Sequence, residues 1–167
     1  HYSLDFDVFF PIPKEIAKSK LGLPLDKKII LFGAENITNK RKGFDLLLDA
    51  FNELDSKNDV FLTTFGKGEF PDLKANFRFI KNFGQVEFLE LQRTIYSAAD
   101  IFIIPSRQEA FGQTALEAMA CGTPVIGYRT GGIPDIVSHG VNGLLINQIY
   151  SKNLKNGIEK LVKDGPL

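Results

Sequence analysis

The sequence is poor in the residues on which several classes of protein depend. It contains one cysteine, Cys121, which excludes an internal disulfide and is compatible with a reducing cytoplasm. Lysine plus arginine and aspartate plus glutamate both number 20, so no basic field is present to attract nucleic acid or an anionic membrane surface. No apolar run approaches the ~20 residues of a membrane span. These shortages favour a soluble, cytoplasmic protein that binds any anion locally.

Histidine and methionine are also scarce. The two histidines, His1 and His139, cannot form a metal site on their own, and no Asp-x-Asp or Cys/His cluster has ligand spacing, so the sequence predicts no metal site. The one methionine is Met119, and the chain opens with neither an initiator nor a signal peptide. A length of 167 residues suits one domain, and we expect it to be an excerpt of a longer protein.

Apolar patterning predicts alternating strands and helices. The run from Lys27 to Gly33 reads as a buried strand with a glycine at its exit, and apolar residues at 44, 47, 48, 51 and 54 have helical spacing. Further strands are predicted near 60–66, 77–81, 101–104, 124–128 and 143–146, and helices near 14–20, 88–98, 113–121, 134–138 and 151–163. Such alternation is typical of an α/β fold with a doubly wound, mostly parallel, Rossmann-like sheet.

The two ends of the chain differ from this pattern. Residues 1–11 include an alternation of acidic and large apolar residues that stops at Pro11, which predicts an extended linker or edge segment between domains. Residues 12–167 form the predicted domain, whose last helix we expect to end at Gly165 and Pro166.

The stretch from Glu109 to Gly122 carries the most chemical information. It follows the apolar run 101–104 and Pro105, and it reads as a loop leading into a buried helix closed by Gly122. Between Phe111 and Gly122 only Glu117 is charged, and a buried carboxylate must find hydrogen-bond donors. Glu109 and Glu117 can face one crevice beyond the strand ends, where open α/β sheets bind ligands. The backbone amides at the start of the helix would suit a phosphate.

These residues resemble a known family. Glu109 and Glu117 match the Glu-x7-Glu signature of the retaining glycosyltransferases of family 4, which have the two-lobed GT-B fold. The neighbours agree: Ser106 and Phe111-Gly112 have counterparts there, and residues 118–126 are similar to that family's "EAMACGxPVI" segment. Residues 4–11 resemble its interdomain "GxDxxxFxP" segment. The resemblance implies the nucleotide-sugar-binding C-terminal lobe of such an enzyme, with the N-terminal acceptor lobe and the last C-terminal helix outside the excerpt.

The resemblance also implies roles for individual residues. Lys42, in the cationic run before Gly43, matches the lysine that neutralises the leaving diphosphate without metal, and Glu109 would hold the donor sugar near the developing positive charge. Arg41 is a candidate replacement for a family arginine that is absent at Ala34, proposed from proximity in sequence alone. The predicted catalytic residues are Glu109, Lys42 and Arg41; the predicted nucleotide-sugar-binding residues are Glu117, Phe111, Gly112, Gln113, Gly33 and Gly66.

The expected partners are a UDP-, GDP- or ADP-sugar donor and a glycan or lipid-linked acceptor held by the missing lobe, with no further cofactor. The expected reaction is hexosyl transfer in polysaccharide or glycolipid synthesis, and the excerpt alone is expected to be inactive. For the full-length protein, a peripheral position at the inner membrane face remains an alternative.

Other interpretations stay open at this point. Glu109 and Glu117 could each form a structural ion pair with a neighbour such as Arg107 or Arg129. The glycines Gly66 and Gly84 also suit ordinary turns. The chain could be a nucleotide-sugar-binding or regulatory lobe without transferase activity. A dinucleotide-binding domain is disfavoured, because no G-x-G-x-x-G follows the first strand.

Overall fold

The fold was analysed in a computed structural model, which describes residues 4–69 and 80–164. In this part of the chain six strands form one sheet, and every pairing is parallel. The order across the sheet is β3-β2-β1-β4-β5-β6. The strands are Lys28–Asn36 (β1), Val60–Lys67 (β2), Ile80–Asn82 (β3), Ile101–Ile104 (β4), Val125–Tyr128 (β5) and Gly143–Ile146 (β6).

Helices follow or precede the strands in the predicted alternation. Two short 3₁₀ turns, Lys40–Lys42 and Lys57–Asp59, lie in the connections. The α-helices of the described residues are Lys14–Lys20 (α1), Phe44–Asn52 (α2), Leu89–Ala98 (α3), Gln113–Ala120 (α4), Ile133–Ile136 (α5) and Ser151–Asp164 (α6). The expected doubly wound α/β fold is therefore confirmed.

Both faces of the sheet are covered, because successive residues of a strand point to opposite faces. In β1, Ile29 and Leu31 join a core with α1, α3 and α4, whereas Ile30 and Phe32 join a second core with α2 and α6. All four are at most 2% exposed. Burying such a side chain contributes roughly 1.5–3 kcal/mol, which explains the continuous apolar runs.

Two predicted segments have a different structure. Strand β1 continues to Asn36, so Gly33 lies inside the strand and not at its exit. Part of the segment predicted to be extended, residues 4–11, is a turn: the amides of Val8 and Phe9 donate to the carbonyl of Asp5 at 3.2 and 2.9 Å. The turn places Phe9, 5% exposed, in the core against the Tyr96 ring, so burial of one aromatic side chain outweighs the extended pattern.

Two predictions lie at the limits of the described residues. The strand predicted near 77–81 is observed as Ile80–Asn82, and residues 77–79 lie outside the described ranges. The predicted helix end at Gly165 and Pro166 also lies outside them, beyond the last helical residue, Asp164.

Candidate functional site

The strand order reverses direction between β1 and β4, which are neighbours in the sheet. The chain runs outward from β1 to β2 and β3 on one side, and from β4 to β5 and β6 on the other. The loops that leave the carboxyl ends of β1 and β4 therefore diverge and leave a crevice, the usual ligand site of open α/β sheets. Lys42 lies in the first loop and Glu109 in the second.

The two loops come into close contact at Gly43, which follows the 3₁₀ turn Lys40–Lys42. Gly43 has a φ of 72°, and a Cβ on it would lie 1.9 Å from the carbonyl oxygen of Pro105. Only glycine permits this approach. The amide of Arg107 donates to the carbonyl of Arg41 at 2.8 Å, so the cationic loop is attached to the loop after β4 by backbone as well as side-chain bonds.

The guanidinium of Arg107 strengthens this attachment. It donates to both carboxylate oxygens of Asp45 at 2.7 Å and to the carbonyl of Lys40 at 2.9 Å. The hydrogen bond from Arg107 holds the pKa of Asp45 below its ordinary value. Arg107 thus pairs with Asp45. The alternative in which Arg107 forms a structural ion pair with Glu109 or Glu117 is not observed.

Glu109 is paired with Lys42. The Lys42 Nζ donates to Glu109 Oε2 at 2.7 Å, and the Ser106 hydroxyl donates to the same oxygen at 3.0 Å. Burial by itself would raise the pKa of Glu109, but the hydrogen bond and charge of Lys42, with smaller contributions from Ser106 and the Gly112 amide, lower it. The structure therefore brings two of the predicted catalytic residues into direct contact and keeps Glu109 ionised.

The backbone of Glu109 rests on the loop after β5. Gly131 has a φ of 52°, and a Cβ there would lie 1.4 Å from the carbonyl oxygen of Glu109. The amide of Gly132 points to the same carbonyl at 3.4 Å, and the Thr130 hydroxyl donates to the carbonyl of Arg107 at 3.2 Å. Residues 130–132, which the sequence analysis did not include in the site, therefore position Glu109. The adjacent glycines were the signal for such a close approach.

Glu117 projects from the second turn of α4 and is held by neutral donors. The Tyr96 hydroxyl and the Gln92 amide donate to Oε2 at 2.8 and 3.0 Å, and the Gln113 amide donates to Oε1 at 3.3 Å. No ion pair between described residues involves Glu117. Burial raises its pKa, and the hydrogen bonds from Tyr96 and Gln113 offset this only in part.

Tyr96 and Gln92 are site residues that the sequence analysis missed. They lie four positions apart on α3, so both face the same side of that helix, toward α4. Nothing in the sequence alone relates this glutamine and this tyrosine to Glu117.

A pocket of about 390 Å³ opens beside Glu117. It lies at the carboxyl ends of β1 and β2 and beyond the end of β3, and Thr114 of α4 also borders it. The described residues that line it are Ala34, Glu35, Phe65, Gly66, Lys67, Gln85, Val86, Gln92, Thr114 and Glu117. Among the predicted nucleotide-binding glycines, Gly66 lines this pocket. A larger pocket, of about 470 Å³, lies between β6 and α6, and the two pockets share no lining residue among those described.

The other predicted nucleotide-binding residues have varied positions. Gly33 is covered by the Phe65 ring, which a Cβ on Gly33 would approach to 2.1 Å, so the glycine is required for packing within the sheet. Gly112 precedes α4 with a φ of 89°, and Phe111 is 36% exposed beside it. Gln113 has a buried Oε1 without a hydrogen-bond partner in the described residues. None of these positions by itself tests the predicted roles.

Arg41 is exposed, and its side chain has no partner in the described part of the chain. Its predicted catalytic role therefore stays a prediction. Arg129 donates to Asn147 at 2.8 Å and pairs with neither glutamate.

Within residues 4–69 and 80–164, no group of three or more His, Cys, Asp and Glu side chains could hold a metal ion. The same ranges contain no helix that is both long and apolar enough to cross a membrane.

Fold and site together define a parallel α/β domain whose ligand crevice holds a lysine–glutamate pair and a second buried glutamate. The sequence model of the family described as "Glycosyl transferases group 1" matches residues 13–167. The chain therefore belongs to the group 1 glycosyltransferases, and the resemblance inferred from the Glu-x7-Glu stretch is confirmed.

Similar proteins agree with this assignment. A D-inositol 3-phosphate glycosyltransferase of Mycolicibacterium smegmatis is 34% identical over 155 residues, which is 88% of this chain and 35% of that protein. Sucrose-phosphate synthase from Thermosynechococcus elongatus superposes with a TM-score of 0.84 at 28% identity, covering 96% of this chain and 42% of that one. The chain thus spans about a third of the length of the curated relatives that it matches.

A third similarity concerns a structure of comparable size. The C-terminal domain of a group 1 glycosyltransferase, LpcC, from Francisella tularensis has a TM-score of 0.80 at 25% identity. The match covers 97% of this chain and 89% of that domain. The chain is therefore similar over nearly its whole length to a domain described as C-terminal.

Proposed function

We propose that this chain is the lobe that binds the nucleotide-sugar donor in a retaining, metal-independent GT-B hexosyltransferase, acting in the cytoplasm in polysaccharide or glycolipid synthesis. The observation that carries the proposal is the Lys42–Glu109 pair, with Nζ 2.7 Å from Oε2, at the carboxyl edge of the sheet, where the pocket bordered by Glu117 also opens. A cation, a sugar-binding carboxylate and a ribose-binding carboxylate are the groups that a nucleotide-sugar donor requires.

The chemistry follows from where charge develops. When the bond between the anomeric carbon and the diphosphate breaks, negative charge grows on the leaving diphosphate and positive charge on the sugar ring. Lys42 would stabilise the diphosphate, since electrostatic stabilisation by a positioned group is usually a large contribution to catalysis. Glu109 would accept hydrogen bonds from the donor sugar and stabilise the positive ring. The proposal includes no covalent sugar–enzyme intermediate.

The contacts of Lys42 and Gln113 are compatible with these roles. Lys42 has a side chain that is 32% exposed, so its ammonium group can reach a ligand phosphate with little rearrangement, whereas the Glu109 side chain is 8% exposed. The buried Oε1 of Gln113, which lacks a partner in the described residues, would be satisfied by a hydroxyl donor of the ligand. The acceptor, a glycan or lipid-linked sugar, would be held by another lobe.

Titration calorimetry with UDP, GDP and ADP tests the proposal. We expect one of them to bind with an affinity that EDTA leaves unchanged, and Glu117→Gln to weaken that nucleotide more than at least one of its 2′-deoxy and 3′-deoxy forms. A hydrogen bond to a charged group contributes roughly 1.5–3 kcal/mol, about 10- to 150-fold in affinity. If none of the three nucleotides binds, the proposal that this chain is the donor-binding lobe is wrong. If EDTA abolishes the affinity, the proposal of metal-independent binding is wrong.

Transfer activity is a separate test. The proposal predicts no sugar transfer by this chain alone, because positioning of an acceptor by a second lobe is worth ~7–11 kcal/mol of barrier. Radiolabelled donor incubated with the chain and with its longer parent protein, on the same acceptor extract, should label product only with the parent. Equal labelling by the chain would contradict the division into donor and acceptor lobes.

A further inference from the structure

The two oxygens of the Glu117 carboxylate have unequal surroundings. Oε2 accepts the Tyr96 hydroxyl at 2.8 Å and the Gln92 amide at 3.0 Å, which occupies both of its lone pairs. Among the described residues, Oε1 accepts only the Gln113 amide, at 3.3 Å, a long hydrogen bond. Oε1 is therefore the oxygen with capacity left for a ligand.

We infer that Tyr96 and Gln92 are positioning residues, which fix Oε2 of Glu117 and so present Oε1 to a hydroxyl group of the ligand. The inference rests on the proposed function, because the hydroxyl is taken to belong to the ribose of a nucleotide. It predicts that Glu117 accepts one ribose hydroxyl firmly through Oε1, and a second only if Gln113 or Gln92 is displaced.

Tyr96 is suited to this role because it is packed in the core. It is fully buried, and its ring makes edge contacts with Phe65 and Phe102 at centroid distances of 5.5 and 5.6 Å. Its carbonyl accepts the Thr123 hydroxyl at 2.6 Å, which joins α3 to the end of α4. The hydroxyl that meets Glu117 is thus attached to the core and not to a surface loop.

The protonation states of the surrounding groups keep the direction of these bonds. Burial and the charge of Glu117 raise the pKa of Tyr96, so its hydroxyl keeps the proton that it donates. The pKa of the nearby Cys121 thiol is raised to about 11 by burial, so this neighbour is neutral, and the charge of Arg93 acts on it in the opposite direction. Gln92 cannot ionise, and its amide also lies 3.4 Å from the Tyr96 hydroxyl, which completes a triangle with Oε2.

The test uses Tyr96→Phe and Gln92→Met, each of which removes one donor and keeps most of the packing. Tyr128→Phe is the matched control: Tyr128 is also fully buried, and its hydroxyl donates to the carbonyl of Tyr150 at 3.0 Å, away from Glu117. Thermal unfolding first establishes that each variant folds. Binding is then measured with the nucleoside diphosphate, among UDP, GDP and ADP, that binds the wild type, and with its 2′-deoxy and 3′-deoxy forms.

We expect Tyr96→Phe to reduce the affinity for the ribonucleotide by about fivefold, the value of one net hydrogen bond, and to reduce discrimination against one deoxy form by a similar factor. Gln92→Met should act in the same direction, and Tyr128→Phe should leave the discrimination unchanged. Wild-type discrimination in both site variants would overturn the inference.

A second measurement needs no nucleotide. A pH titration of the Glu117 side-chain carboxyl carbon by NMR should show a higher pKa in Tyr96→Phe than in the wild type, because a hydrogen bond that favours the carboxylate is gone. An unchanged titration would overturn the inference. If all three nucleotides fail to bind the wild-type chain, the proposed function fails, and the carboxyl titration alone decides whether Tyr96 holds Glu117.

Discussion

Glu109 and Glu117 are two carboxylates on one crevice that the fold treats in opposite ways. Both carboxylates are largely withdrawn from solvent: the Glu109 side chain is 8% exposed, and the Glu117 residue as a whole is 9% exposed. Glu109 meets the Lys42 ammonium, and its pKa is lowered despite burial. Glu117 meets a tyrosine and two glutamines, and its pKa is raised by burial.

The difference shows that exposure alone does not decide the charge of a site carboxylate. A partner with a full charge outweighs the cost of desolvation at Glu109, whereas neutral donors at Glu117 only reduce it. An ionised Glu109 beside a cation suits contact with a sugar and a diphosphate. A carboxylate held by neutral donors suits exchange of hydrogen bonds with hydroxyl groups.

The largest loss of stability should come from a substitution that displaces the backbone of Glu109. We expect Gly131→Ala to destabilise the fold by ~3 kcal/mol or more, because the added Cβ would lie 1.4 Å from the Glu109 carbonyl oxygen and φ is positive. Urea unfolding measures the loss. The control is Gly140→Ala, since Gly140 has a φ of 80° but no atom of the described residues lies within 4 Å of an added Cβ. Equal losses in the two variants would mean that backbone strain, and not contact with Glu109, accounts for the effect.

Removing the cation should have the next largest effect. We expect Lys42→Met to destabilise the fold by about 1–3 kcal/mol at pH 7, because the Glu109 carboxylate would stay buried without its charged partner. Lys155→Met is the control, since Lys155 pairs at 3.1 Å with Asp55, whose side chain is 74% exposed, and exposed pairs contribute about 0–1 kcal/mol. Urea unfolding at pH 7 and pH 4 should show that the loss from Lys42→Met shrinks in acid. A loss independent of pH would separate Lys42 from the charge of Glu109.

The smallest effect should be on the pH dependence of stability, to which the two carboxylates contribute with opposite signs. The folded-state pKa of Glu109 is lowered, so its contribution to stability is present above the unfolded-state pKa and is lost as the pH falls through the folded value. The folded-state pKa of Glu117 is raised, so its contribution is full below the unfolded-state pKa and is lost as the pH rises through the folded value.

Unfolding of the wild type, Glu109→Gln and Glu117→Gln between pH 4 and pH 8 measures both signs. As the pH rises, the wild type should gain stability relative to Glu109→Gln and lose stability relative to Glu117→Gln. Because the other carboxylates are common to all three proteins, their contributions cancel in the differences. Slopes of the same sign would contradict the comparison.

Most of the fold could be predicted from the sequence because its signals are local. The β-branched run Ile101–Ile104 and the spacing of Phe44, Leu47 and Phe51 each specify one element, and both elements are observed. The errors have tertiary causes. Gly33 reads as the end of a strand, but the Phe65 ring covers it from the neighbouring strand, so β1 continues through it.

The candidate site also has features that could be predicted from the sequence and features that could not. The positions of Glu109 and Glu117 on a loop and the following helix were predictable from the motif, and so was the need of Glu117 for donors. Which donors meet it was not predictable, because Gln92 and Tyr96 reach it from another helix, 25 and 21 positions away in the chain. The predicted catalytic and ligand-binding roles of all nine site residues remain predictions: Glu109, Lys42, Arg41, Glu117, Phe111, Gly112, Gln113, Gly33 and Gly66.

The sequence by itself determined the family, the order of strands and helices, and the pair of carboxylates at the crevice, because these depend on residue types at short spacings. Only the tertiary structure decided that Lys42 meets Glu109, 67 positions away, and that the donors to Glu117 in the described residues are neutral. The physical reason is that the charge of a buried carboxylate depends on which groups lie within hydrogen-bond distance. In this fold those groups come from separate loops and helices, which meet only when the sheet has formed.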